Sequence, residues 1–180
     1  MISLLGIHIF EPQVHTDHRG HFFESFSERS FEEETGIEAR FVQDNQSRSR
    51  LGVIRGLHYQ LPPVAQGKLV RVVQGAVWDV VVDIRRASET FGDWFGIELS
   101  AANRRQLWIP PGFAHGFLAT ADQTDLLYKV TAPYSAEWER SVRWDDPAIG
   151  INWPTVSTDR IISDRDANAP LLRHADIFES

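Results

Sequence analysis

Residues 43–60 read QDNQSRSRLGVIRGLHYQ, a polar half followed by a β-prone half. The polar half, residues 44–49, is rich in turn-forming residues and ends at Gly52, whereas the second half carries Arg55 and His58. Residues three apart on a regular strand point to opposite faces, so these two side chains share a face only if a bulge intervenes, for which Gly56 is suited. A cation beside an imidazole suits an anionic substrate, but a single histidine among apolar residues is more often a packing or capping residue.

Short β-prone segments separated by turn residues surround this stretch, at intervals of about ten residues. They predict an antiparallel all-β sandwich or barrel, and a jelly roll is the most typical member of that class. The turn at Gly75 separates two strands, of which the second carries Asp79 and Asp83 on one face and an apolar set, including Trp78, on the other. The two strands around Gly75 span residues 68–74 and 76–85, and the other predicted strands span residues 7–10, 94–100, 105–109, 117–120 and 125–131.

Two short peripheral helices are predicted. Residues 31–35 follow a cap at Ser27 or Ser30 and stop at Gly36, and residues 164–167 follow Ser163. A chain of 180 residues fits one domain, here taken as residues 1–180, with a single sizeable core.

Composition excludes several classes of function. Without cysteine, the chain has no disulfide, thiol nucleophile or thiolate metal site. A formal net charge of −7 argues against nonspecific binding to nucleic acid. Residues 1–7 are apolar but too short and uncharged for a signal peptide, and no later apolar run reaches membrane-spanning length. We therefore expect a soluble, cytoplasmic protein without a membrane partner.

Two histidine motifs resemble those of the cupins, in which each motif ends a strand inside a jelly roll. The first runs from Gly52 to His58, and the second is the predicted turn 110–116, which contains His115. Metal-binding cupins carry a second histidine and a glutamate after the first motif, but here the sequence continues Tyr-Gln and then Lys68. The second motif has Ala119 at its ligand position, so two imidazoles remain, too few for a catalytic metal. We predict no metal.

Cations and tyrosines form two further candidate sets. Each cation is either a solvated surface charge or part of a cluster for a diphosphate, for which arginine is well shaped; the candidates are Arg19, Arg55, Lys68 and Arg165. Tyr128 and Tyr134 are either packing residues or functional ones. In the second case Tyr128 is suited to act as a general acid and Tyr134 to stack on a planar base.

Six motifs in register resemble the dTDP-4-dehydrorhamnose 3,5-epimerases over nearly the whole chain. They are QDN at residues 43–45, RGLHYQ at 55–60, QGKLVR at 66–71, DVVVDIR at 79–85, IPPGFAHGF at 109–117 and WDDP at 144–147. The resemblance implies a metal-free, cofactor-free cupin jelly roll that forms a homodimer. It also implies an isomerase that converts dTDP-4-dehydro-6-deoxy-D-glucose to dTDP-4-dehydro-L-rhamnose, on the route to rhamnose for cell-surface polysaccharide.

The resemblance implies a role for each matching residue. His58 would remove the protons next to the C4 ketone, with Asp166 or Asp79 orienting it. Tyr128 would return a proton to the opposite face, Lys68 would stabilise the enolate, and Tyr134 would stack on thymine. Further residues match positions that contact the nucleotide sugar, and in the family some of them reach in from the partner subunit; these residues are Arg19, Glu24, Gln43, Asp44, Asn45, Arg55, His115, Glu139 and Arg165.

Two departures from the family pattern, Trp78 and the pair Ala132–Pro133, are expected to border the thymine end.

Three alternative functions stay open. Related enzymes invert only C3 or only C5, or shift the ketone of a similar dTDP-sugar. A metal-dependent cupin oxygenase or isomerase is a second class, disfavoured by the missing ligands. A noncatalytic sugar-nucleotide binder is the third, disfavoured by the presence of His58, Lys68 and Tyr128 together.

Overall fold

Two five-stranded antiparallel sheets pack face to face in the structure, a computed structural model that describes residues 6–179. The first sheet has the order β1 (His8–Phe10), β9 (Gln106–Ile109), β6 (Lys68–Gln74), β11 (Thr124–Val130) and β4 (Gln43–Ser49). The second has the order β12 (Glu139–Ser141), β5 (Ile54–Gln60), β10 (Phe113–Ala119), β7 (Ala76–Asp83) and β8 (Trp94–Ser100). A separate hairpin is formed by β2 (His15–Asp17) and β3 (Gly20–Phe22). The predicted all-β class is confirmed.

Apolar side chains from both sheets form the layer between them. Val70 and Val72 of β6 meet Val77 and Val81 of β7, together with Phe117 of β10. Asp79 and Asp83 share the inward face of β7 with Val81, as the even spacing predicts, and both are fully buried.

The outer faces of the sheets are also covered. On the second sheet, Val80, Val82 and Ile84 pack against residues of the C-terminal segment that include Trp153 and Phe178. On the first sheet, helix α1 (Glu28–Thr35) places Phe31 against Leu69 and Trp108. The C-terminal segment is important for the site because it also carries helix α2 (Asp164–Ala167) back to the barrel.

Both helices begin where the sequence predicts a cap. The Ser27 hydroxyl accepts from the Ser30 amide, so Ser27 rather than Ser30 caps α1, and Gly36 ends the helix with φ +69°. Ser163 caps α2 in the same way, and a 3-10 helix, Leu172–His174, follows. Among residues 6–179, no helix is long and apolar enough to cross a membrane. The prediction for residues 1–7 lies mostly outside this described range.

Two local predictions were wrong. Residues 44–49, predicted as turn-rich, belong to the regular strand β4; its side chains alternate between half-buried and exposed because one face lines a polar cavity. Residues 113–116, predicted as part of a turn, belong to β10, where all seven residues are buried.

Candidate active site

A bulge in β5 places Arg55 and His58 on the same cavity. His58 lies opposite His115 on β10, but Arg55 lies opposite Phe117, so three steps on β5 match two on β10. Gly56 permits this irregularity with φ +123°, and a Cβ there would come within 2.6 Å of the Gly116 Cα. The bulge expected from the sequence is therefore present, and it turns both side chains toward one volume.

The cavity has a volume of about 810 Å³ and opens between the inner faces of the two sheets. Candidate residues from eight elements or loops line it, which is why spacing along the chain alone does not reveal it. The candidate residues that line it are Gln43, Asn45, Arg55, His58, Lys68, His115, Tyr128, Tyr134, Glu139, Arg165 and Asp166.

The wall formed by the first sheet is ordered by strand register. Tyr128 on β11 lies opposite Val70 on β6 and Asn45 on β4. Two residues further along β11, Val130 lies between Lys68 on β6 and Gln43 on β4. This wall therefore presents an ammonium, a phenol and two amides to the cavity.

His58 is held by Asp166. The imidazole Nε2 lies 2.7 Å from Asp166 Oδ1, and the Gly56 amide donates to Oδ2 at 3.1 Å. Burial raises the pKa of Asp166, but hydrogen bonds from His58, Gly56 and Ser163 outweigh it and hold the pKa below its usual value. A charged carboxylate on Nε2 leaves the His58 Nδ1 as the ring atom able to accept a proton.

Lys68 is a buried ammonium next to this pair. Its Nζ donates to the His58 carbonyl at 3.1 Å. Burial lowers its pKa to about 8, against the attraction of the Asp79 and Glu139 carboxylates, which raises it. Lys68 therefore carries a positive charge at neutral pH although its side chain is buried.

His115 forms a second imidazole–carboxylate pair. Its Nε2 lies 3.0 and 2.9 Å from the two oxygens of Asp79. Asp79, the other candidate to orient His58, is therefore engaged by His115, and Asp166 is the residue in contact with His58.

Glu139 organises one end of the cavity. Its carboxylate accepts from the Tyr134 hydroxyl at 2.9 Å and from the Arg165 guanidinium at 2.6 Å. The Gln43 side chain accepts from the Tyr134 amide at 3.1 Å and donates to Asn45 at 2.7 Å. Hydrogen bonds thus fix the hydroxyl and the backbone amide of Tyr134, while its side chain stays half exposed.

Tyr128 has a raised pKa, because burial and the nearby Glu139 charge disfavour the phenolate more than Arg55 favours it. Its hydroxyl is therefore protonated at neutral pH. It lies on the first sheet, whereas His58 lies on the second, so the two groups approach the cavity from different walls.

Three candidates lie outside this cavity. Asp44 points outward from β4 and pairs with Lys129 at 3.0 Å. Arg19 lies in the turn of the β2–β3 hairpin and pairs with Asp17, and Glu24 accepts from Ser30. Trp78 lies on the outer face of β7 against Gly96 and does not line the cavity. Ala132 and Pro133 do adjoin the cavity, through carbonyls that accept from Gln66 and Gln60.

Sequence reasoning missed several lining residues. Ser47 lies inward on β4 two residues from Asn45, and its buried hydroxyl has no partner in the described part of the chain. The only sign of Ser47 in the sequence is the run of polar residues after Gln43, and that run is equally typical of a turn. Gln60 and Gln66 lie within the recognised motifs, but their amides hold the loop before and after Tyr134.

No group of three or more His, Asp or Glu residues within 6–179 is arranged to hold a metal ion. Both cavity histidines are instead paired with single carboxylates. This arrangement suits proton transfer next to a carbonyl group, with a fixed cation for the negative charge that develops.

Comparison with known proteins gives the family. The family model for dTDP-4-dehydrorhamnose 3,5-epimerase matches residues 1–174. The chain belongs to this family. A relative from Shigella flexneri, named dTDP-4-dehydrorhamnose 3,5-epimerase, is 54% identical over 94% of this chain and 93% of its own length.

Solved structures of the epimerase family share the fold. The dTDP-6-deoxy-D-glucose-3,5-epimerase of Legionella pneumophila, in complex with dTDP-4-keto-L-rhamnose, superposes with a TM-score of 0.94 at 47% identity, covering 99% of this chain and 95% of that one. ChmJ, a 3'-monoepimerase from Streptomyces bikiniensis in complex with dTDP-quinovose, gives a TM-score of 0.89 at 38% identity, covering 96% and 86%. The predicted family and cupin-type β-sandwich are confirmed.

Proposed function

We propose that this protein is a dTDP-4-dehydrorhamnose 3,5-epimerase, which converts dTDP-4-dehydro-6-deoxy-D-glucose to dTDP-4-dehydro-L-rhamnose in dTDP-L-rhamnose biosynthesis. The observation that carries the proposal is the His58–Asp166 pair on one sheet with Tyr128 on the other, around one cavity. A base and an acid on different walls are what inversion of a carbon centre requires.

In the proposed reaction His58 removes a proton from the carbon next to the C4 ketone. A neutral imidazole is a base of suitable strength at pH 7, and the Asp166 carboxylate stabilises the imidazolium that forms. Asp166 also fixes the ring, because its second oxygen is held by the Gly56 amide. The base is therefore oriented before substrate arrives.

Removal of the proton leaves negative charge on the C4 oxygen, and Lys68 is proposed to stabilise it. A buried ammonium favours this enolate over the neutral ketone, so it lowers the barrier rather than only tightening binding. Tyr128, protonated at neutral pH, then delivers a proton to the opposite face of the same carbon. Repetition at C3 and C5 gives the doubly inverted product.

The remaining cavity residues are proposed to hold the nucleotide sugar. Tyr134 presents an exposed ring on which thymine can stack, next to the Glu139–Arg165 pair. Arginine suits the diphosphate, and histidine and the amides suit the sugar hydroxyls and carbonyls; these residues are Gln43, Asn45, Arg55, His115 and Arg165.

We also propose a homodimer in which the β2–β3 hairpin serves the partner's cavity. All six residues of the two strands are exposed, and Phe22 is 72% exposed. Arg19 and Glu24, which match substrate-contacting positions of the family, lie on or just after this hairpin and do not line their own cavity. Asp44 lies on β4, one of the edge strands, from which a partner is also accessible. Sedimentation as a monomer at micromolar concentration would contradict the dimer.

Incubation with dTDP-4-dehydro-6-deoxy-D-glucose in heavy water, without added metal, tests the reaction. NMR should show deuterium and inversion at both C3 and C5. Label and inversion at one carbon would assign the protein to the single-centre epimerases, of which the ChmJ structure is one similar example. Binding without any label would overturn the catalytic proposal.

A further inference from the structure

Helix α2 carries Asp166 but is too short to stand alone. It has four residues, and isolated helices of that length are not stable in water. Its position must therefore come from contacts at its ends. We call residues 158–167, which include α2 and the segment before it, the Asp166 arm.

The arm is anchored to β5 before the helix begins. The Ile161 amide donates to the Gly52 carbonyl, and the Ile54 amide donates to the Ile161 carbonyl, both at 2.9 Å. Gly52 has φ +84°, and a Cβ there would lie 2.6 Å from the Thr158 side chain and 2.7 Å from the Asp159 carbonyl oxygen. The arm is thus fixed at Ile161, five residues before the carboxylate that contacts His58.

Ser163 lies between Ile161 and Asp166 and hydrogen-bonds to the first turn of α2. Its hydroxyl accepts from the Asp166 amide at 3.1 Å, and its carbonyl accepts from the Ala167 amide at 2.9 Å. The capped amide belongs to the same residue whose carboxylate holds His58 at 2.7 Å. The cap therefore fixes the backbone of Asp166 and, through it, the direction of the carboxylate.

We propose that Ser163 is a positioning residue for the epimerisation, acting through Asp166 on the orientation of the His58 ring. The inference rests on the proposed function for its kinetic consequence, but its structural part is independent of it. A displacement of about 1 Å in a catalytic group can reduce turnover on the order of a hundredfold, so loss of the cap has a measurable effect.

Kinetics of Ser163→Ala test the consequence. The turnover number should fall about tenfold or more, and Ser163→Thr, whose hydroxyl can also cap a helix, should restore most of it. Ser27→Ala is the matched control: it removes the same type of cap from α1, away from the cavity, and should leave turnover within about twofold. Wild-type turnover in Ser163→Ala would overturn the proposal.

A double-mutant cycle separates positioning from a general structural role. In an Asp166→Asn background, Ser163→Ala should cost little further turnover, because the group that it positions is already lost. An equal loss in both backgrounds would overturn the proposal.

The ring orientation can be read without any activity, so failure of the proposed function is distinguishable from failure of this inference. In protein labelled with ¹⁵N-histidine, the ring protons of His58 and His115 that are hydrogen-bonded to carboxylates should give two downfield signals. Ser163→Ala should broaden or shift the His58 signal and leave that of His115 in place. An unchanged His58 signal would overturn the inference even if the protein proved inactive on the proposed substrate.

Discussion

The two imidazole–carboxylate pairs of the cavity have the same composition but different surroundings. His58 and His115 lie directly opposite each other on adjacent strands. The side chain of His58 is 30% exposed, whereas that of His115 is 8% exposed. Asp79 belongs to β7, an interior strand of the second sheet, but Asp166 lies on a short helix of the C-terminal segment.

The difference explains why one pair is proposed to move protons and the other to support the site. The Asp79 carboxylate directs both oxygens at one ring nitrogen of His115, in a largely buried position. The Asp166 carboxylate uses one oxygen for His58 and the other for the Gly56 amide, so the ring is oriented while the His58 side chain stays partly exposed at the cavity. Composition alone does not separate these roles; burial and the element that delivers the carboxylate do.

The largest expected effect is that of His58→Ala. Turnover should fall about a thousandfold or more, because the base is removed, while dTDP still binds. Steady-state rates and calorimetric titration with dTDP measure the two quantities. If His115→Ala abolished proton exchange and His58→Ala did not, the roles assigned to the two pairs would be wrong.

Tyr128→Phe should have the next largest effect, about a hundredfold on inversion. The ring is kept, so packing against Val70 and Asn45 is little changed, but the proton donor is lost. Because His58 can still remove and return a proton on its own face, solvent deuterium should enter faster than the centre inverts. Inversion at the wild-type rate would exclude Tyr128 as the acid.

The sequence predicted the parts of this site that depend on local pattern. The two cupin-like motifs identified His58 and His115 as candidate residues, and Gly56 indicated the bulge that brings Arg55 to the same side. Asp166 follows His58 by 108 residues, and no local pattern links them; only the family resemblance paired them. Strand β4 was missed because a strand with a polar cavity on one side and an exposed face on the other lacks the apolar alternation that identifies strands.

Asp79→Asn should change the pH dependence of turnover rather than abolish it. Turnover should fall as pH rises through about 8, where Lys68 loses its proton. The Asp79 carboxylate raises the pKa of Lys68, so its removal should move this alkaline limb to lower pH. Turnover of Asp79→Asn should be less than about tenfold below that of the wild type near pH 7, and the difference should grow at higher pH.

A matched control for this shift lies on the same strand. Asp83 is as fully buried as Asp79 but is held by Arg85, Ser88 and Thr90, and it is not among the charges that act on Lys68. Asp83→Asn should therefore leave the alkaline limb in place even if it lowers the melting temperature. A limb that stays unchanged in Asp79→Asn would show that the second pair does not tune Lys68.

The smallest expected effect concerns stability at acid pH. The pKa of Asp166 is lowered in the folded protein, because the hydrogen bonds from His58 and Gly56 outweigh its burial. The charged carboxylate therefore stabilises the fold above its unfolded pKa, near 3.8, and this contribution is lost as pH falls through the lower folded pKa. Asp166→Asn has no such titration, so the difference in melting temperature between the wild type and this variant should shrink as pH falls below about 4. A difference that is constant from neutral to acid pH would mean that the Asp166 charge does not stabilise the fold, and its role in the pair would then be limited to orienting His58.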